Sequence, residues 1–219
     1  MKPILSDENR KRLERHIAEA EKRTGCQIVL AVIRRSDSYS ELPWKAFSLA
    51  ASVTALIVCI VGAFSKGWNY DAWSILPVVS ILLAGAVFAL LAVLVPSFAR
   101  LFLPRHRTKT EVRQYAESLF LRKELSATVK RTGVLLMVSQ FERRVVLLPD
   151  KGVKPRLSDD TMHDIIKGMI SHLVRDNVHL ALQEGLERLV LALASPAKGR
   201  SKRSRKNETP DQIIEEKGV

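Results

Sequence analysis

The chain has 219 residues and a formal charge of +12, yet its mean hydropathy is close to zero. That combination excludes a uniformly polar nucleic-acid-binding chain and points to a charged part joined to a strongly apolar part. Two cysteines, Cys26 and Cys59, are too few and too differently placed for a disulfide framework or a cysteine metal site.

The polar opening, Met1 to Arg10, lacks the pattern of a secretory signal, so any membrane segment further along must direct its own insertion. Ser6 can cap a helix whose first turn carries Asp7 and Glu8; Leu13, Ile17 and Ala20 give it an apolar stripe, and Gly25 is a natural stop. Gln27 to Ile33 is almost wholly apolar and β-branched, which predicts a strand covered on both faces. About 40 residues of helix and strand cannot supply that cover. The partners must lie further along the chain.

Two runs without charge follow, at about 46–64 and 74–95. Each is close to the roughly 20 residues that a helix needs to cross the hydrocarbon of a bilayer, and a backbone in lipid must satisfy its own hydrogen bonds. Trp44, Trp68, Tyr70 and Trp73 lie at the ends of the runs, where amphipathic rings favour the headgroup zone. The segment 44–98 therefore reads as a transmembrane hairpin. Arg34, Arg35 and Lys45 precede it, and Arg100, Arg105, Arg107, Lys109 and Arg113 follow, whereas the short connection holds Lys66 alone. The cation bias predicts two spans with both termini cytoplasmic. The alternative, a buried helical pair inside a soluble core, demands a larger surrounding chain.

Beyond the hairpin, Thr110 to Ser126 reads as a helix. Gly133 to Ser139 and Arg143 to Pro149 read as an antiparallel strand pair. Two helices follow, the first with Met162, Ile165, Ile166, Met169, Ile170 and Leu173 at helical spacing, the second running from Val178 to Leu193. The expected fold is α/β: a small mixed sheet with helices on both faces, built from residues 1–40 and 104–195 and interrupted by the hairpin. Residues 196–219, opening with Lys198, Arg200, Lys202, Arg203, Arg205 and Lys206, are expected to be a disordered basic tail. No aromatic residues interleave with these cations to stack on bases, so nucleic acid is not an expected partner.

Three stretches carry a family resemblance. LSDENRKRLERHIAEAEKRTGCQIVLAVI, RTGVLLMVSQFERRVVLLPDKGV and LSDDTMHDIIKGMI resemble the opening helix and strand, the central strand pair and the penultimate helix of the TPM domain family. That family is named from a thylakoid-lumen protein, a photosystem II repair protein and a nematode receptor modulator. The inserted spans resemble an integral-membrane bacterial branch. The resemblance implies a phosphatase in some members and calcium binding through acidic loops in others. Here the stretch before the central strand, Ala127 to Thr132, has no carboxylate and two cations, which departs from the calcium-binding pattern.

The remaining acidic candidates are Asp150, just past a strand end, and Asp159 and Asp160, which open a helix behind Ser158. If they converged, they would form a metal site for a hard cation, Ca²⁺ or Mg²⁺. The same residues also suit plain structural roles, Asp150 in a turn and the other two at a helix N-terminus. No other cofactor is expected: the five histidines lack ligand spacing, and no phosphate-binding glycine loop or nucleophile elbow is present. Two functions stay open. One is a non-catalytic, membrane-anchored module that binds a partner protein; the other is a metal-dependent phosphatase acting on phosphate esters.

Overall fold

Strand β1 (Gln27–Arg35) decides the architecture. Its consecutive residues Ile28 to Ile33 are all buried, so neither of its faces touches water. The computed structural model describes residues 4–64, 75–125, 131–194 and 213–218. It divides into two units, Met1–Asp37 with Thr108–Val219, and Ser38–Arg107.

In the first unit, α1 (Asp7–Thr24) starts on Ser6, whose side chain accepts the Asn9 N–H. It ends at Gly25, which takes the left-handed conformation at φ 67° and donates to the Glu21 carbonyl. The chain then enters β1. After the second unit it returns through α4 (Arg105–Arg122), then β2 (Gly133–Ser139), β3 (Arg144–Pro149), α5 (Asp159–Val174), α6 (Val178–Ala194) and a last strand, β4 (Ile214–Gly218).

The sheet order is β3-β2-β1-β4. β1 pairs parallel to β2, with Leu30 opposite Leu136, and parallel to β4, with Ala31 opposite Ile214. β2 pairs antiparallel to β3. Side-chain alternation sends Ile28, Leu30 and Val32 into a core with α1, α5 and α6. Val29, Ala31 and Ile33 point the other way, onto Val112, Ala116 and Leu119 of α4. The expectation of a small mixed sheet with helices on both faces holds. Gly133 begins β2 so close to the preceding chain that a Cβ there would lie 2.5 Å from the Leu125 carbonyl oxygen.

The expected disordered tail is corrected at its end. Residues 195–212 lie outside the described residues, but Ile214–Gly218 is a strand, because the free edge of β1 offers unpaired backbone groups. Ile213 is buried just before it. Boundaries also shift: β1 runs two residues past Ile33, and α4 begins at Arg105 rather than Thr110. β3 begins at Arg144 because Arg143 turns at a positive φ of 50°.

In the second unit, α2 (Glu41–Phe64) and α3 (Ile75–Leu94) pack against each other. Both are long and apolar enough to cross a membrane. Small residues dominate the buried positions, Ala46, Ala50, Gly85 and Ala92, while Leu56, Phe64, Leu83 and Leu94 are exposed. The connection at 65–74, with Trp68, Tyr70 and Trp73, lies outside the described residues. A short helical turn, Pro96–Ala99, follows α3, and Phe98 stacks edge-on against Phe88 and Phe102. Glu41 joins Lys45 and Arg107 in exposed ion pairs of 3.7 and 2.6 Å.

Candidate functional site at the ends of the central strands

The aspartates expected to form a metal site do not come together. Asp150, at the end of β3, is buried and turned inward. Its Oδ1 accepts the Lys151 N–H at 2.7 Å, and its backbone carbonyl accepts those of Val153 and Lys154. Its Oδ2 is buried with no hydrogen-bond partner among the described residues. Asp159 and Asp160 sit exposed in the first turn of α5, behind the Ser158 cap, which accepts from Thr161. Among the described residues, no group of three or more His, Cys, Asp or Glu is placed to hold a metal. Of the cationic stretch Ala127 to Thr132, residues 127–130 lie outside the described residues.

A different carboxylate is enclosed at the other end of the sheet. Glu142 lies in the turn between β2 and β3, where β1 and β2 reach their C-terminal ends. Its Oε1 accepts the Ser36 N–H at 2.8 Å and the Ser36 hydroxyl at 2.6 Å. Its Oε2 accepts the Ser139 hydroxyl. All three residues are buried. The turn is also held by backbone bonds from Gln140 N–H to the Ile33 carbonyl and from Phe141 N–H to the Arg34 carbonyl. The Arg35 guanidinium lies 4.5 Å from the centre of the Phe141 ring. C-terminal strand ends are where open α/β sheets gather ligands. Both carboxylate oxygens accept, so the side chain ties the β2–β3 turn to the exit of β1. Sequence reasoning missed it because its two serines are 3 and 106 positions away from Glu142; only the short S-x-x-E spacing was visible.

The third polar cluster holds β4. On one face Glu215 accepts the Ile4 N–H at 3.3 Å and pairs with Arg10 at 3.6 Å. On the other, Glu216 accepts from the Tyr115 hydroxyl at 2.6 Å and from Arg122 at 3.1 Å. Burial alone would raise the Glu216 pKa. The bonds from Tyr115 and Arg122, with the charges of Arg122 and Lys123, outweigh it and hold the carboxyl below its usual 4.5. Burial, then the Glu216 contact, pushes the Tyr115 phenol above its usual 10.0. A fourth cluster joins α5 to α6: Glu184 is held low by bonds from His172 first and Arg188 second.

The fold is thus a small α/β domain with a four-stranded mixed sheet. Residues 89–192 match the model of the TPM domain. The match opens within α3 and ends in α6, so it takes in β2 and β3, while α1 and β1 precede it. A search of curated proteins finds no match. Among solved structures, the fold is similar to the NMR structure of BA42 protein from the psychrophilic bacterium Bizionia argentinensis. The TM-score is 0.56 and the identity 16%, over 97% of this chain and 95% of that one.

Two outcomes follow from these clusters. Glu142→Ala removes the acceptor of a buried N–H and two buried hydroxyls, each costing about 1–3 kcal/mol when left unpaired. Chemical denaturation of the full chain should show a loss of at least about 2 kcal/mol, and less for Glu142→Gln, which keeps one acceptor. The β4 contacts should be pH-limited at both ends. A depressed Glu216 stabilises the fold above its ordinary 4.5, and that gain is lost as pH falls through the lower folded value. A raised Tyr115 stabilises below 10.0, with loss as pH rises through the higher folded value. The stability difference between the natural chain and Glu216→Gln should therefore be largest between those limits and shrink outside them; a difference independent of pH would contradict the assignment.

Proposed function

We propose that the chain is a membrane-anchored TPM-domain protein whose α/β domain is a non-catalytic interaction module at the cytoplasmic face of a bacterial inner membrane. The observation that carries this reading is the exposure of α2 and α3. Only 6% and 11% of their most apolar stretches are buried, and large side chains such as Phe64, Leu83 and Leu94 lie bare. A core helix of a water-soluble domain would cover them; a bilayer does the same without protein. Small residues at the α2–α3 contact suit helices that meet in lipid. The orientation rests on the cations flanking the two helices, set against Lys66 alone between them.

Two measurements test the anchor and its direction. The chain should stay in the membrane fraction through alkaline carbonate washing; release would exclude spanning helices. In a variant without Cys26 and Cys59, Asn69→Cys should react with an impermeant thiol reagent in intact cells and Ser201→Cys should not. The reverse pattern would place the domain outside.

The second reading, a metal-dependent phosphatase, draws on one observation: the buried Asp150 Oδ2 has no hydrogen-bond partner among the described residues, and such an oxygen suits a hard cation. If Asp150 binds metal, Ca²⁺ or Mg²⁺ should raise the melting temperature and support phosphate-ester hydrolysis, with both effects lost in Asp150→Asn. The interaction-module reading expects neither effect in the full chain.

A further inference from the structure

We infer that one end of the second unit, where α2 begins and α3 gives way to α4, is a binding site for anionic phospholipid headgroups. The inference deepens the proposed anchoring and rests on it, because it names the lipid that the anchored end selects.

Two features meet at this end. The first is charge. Residues 38–47 and 96–107 hold Lys45, Arg100, Arg105 and Arg107 against one carboxylate, Glu41. That carboxylate is already engaged, by Arg107 at 2.6 Å and Lys45 at 3.7 Å. It gathers the starts of α2 and α4 and leaves positive charge in excess, with Lys45, Arg105 and Arg107 exposed. The second feature is apolar. Between α3 and α4 the chain makes two short turns, Pro96–Ala99 and Arg100–Phe102, and α2 packs against both. Phe98 stacks with Phe88 and Phe102. Leu101, beside Arg100, is 76% exposed, and Trp44, beside Lys45, is 71% exposed.

Bare apolar side chains set among cations suit neither bulk water nor the hydrocarbon centre. They suit the boundary, where the rings and aliphatic groups enter the acyl region and the Lys and Arg stems reach out to phosphate depth. Arginine forks match phosphate oxygens there. Every phospholipid has a phosphate, but a zwitterionic headgroup brings its own cation, which competes with these side chains. A headgroup of net negative charge brings none, and each Lys or Arg near such a surface is worth about a fivefold preference. An acidic protein segment would match the charge but leave Trp44, on a spanning helix, and Leu101 without apolar cover.

The test uses the full-length chain with Trp68→Phe and Trp73→Phe, which leaves Trp44 as its one tryptophan. It is reconstituted in vesicles of equal parts phosphatidylglycerol and phosphatidylcholine, with bromine, a contact quencher, on the acyl chains of one lipid or the other. Brominated phosphatidylglycerol should quench Trp44 more strongly, corresponding to a local enrichment of the anionic lipid of at least about fivefold. Lys45→Gln with Arg100→Gln and Arg105→Gln should bring the ratio close to unity. Lys45→Arg with Arg100→Lys and Arg105→Lys keeps the charges and should keep the enrichment, which separates lost charge from lost folding. Equal quenching by the two lipids would overturn headgroup selection, leave the anchor in place and turn the search to an acidic partner protein. An enrichment unchanged in the glutamine variant would overturn it too. Quenching by neither lipid, with release of the chain by alkaline carbonate, would overturn the anchor and this inference with it.

Discussion

The structure depends on one constraint: β1 is buried on both faces and paired on both edges, yet every partner except α1 is remote in sequence. Leu30, Ala31 and Val32 have no exposed surface. Burying a large aliphatic side chain is worth about 1.5–3 kcal/mol, so a strand of this composition cannot persist until cover arrives. β2 comes from beyond α2 and α3, and β4 from the far end of the chain. The segment of Ser38–Arg107 is therefore an interruption within one connection, since the first sheet pairing closes only after it.

The same constraint explains where the polar groups lie. Paired strands leave their ends and outer edge to be finished by side chains. Glu142 finishes the C-terminal ends of β1 and β2 by accepting from Ser36 and Ser139. Glu215 and Glu216 finish the outer edge, one on each face, because successive side chains of a strand point in opposite directions. Asp150 finishes the opposite end with one oxygen bonded.

Local signals were legible and distant ones were not. The Ser6 cap, the Gly25 stop, the apolar runs of β1 to β3 and the stripes of α5 and α6 are written in short-range pattern, and the fold class follows from them. The start of α4 was hidden because Arg105 to Lys109 has no apolar residue to set a period. β4 was hidden more deeply. Two isoleucines before two glutamates, behind a basic stretch, read as a tail, and only the vacant edge of β1 makes them a strand. The Ser36–Glu142 bond spans 106 positions, and no spacing rule reaches that far. The Asp150, Asp159 and Asp160 grouping followed chain proximity, but a helix start in solvent and a buried strand end are different environments.

The central claim is that one cooperative sheet is assembled around β1 from both sides of the inserted helices. Hydrogen exchange of the full chain in lipid nanodiscs tests it most directly. The account predicts that the amides of Leu30 to Val32 are as slow as those of Leu135 to Met137, and that the two sets lose protection together as denaturant rises. β1 amides exchanging much faster than those of β2, or losing protection in a separate step, would contradict it.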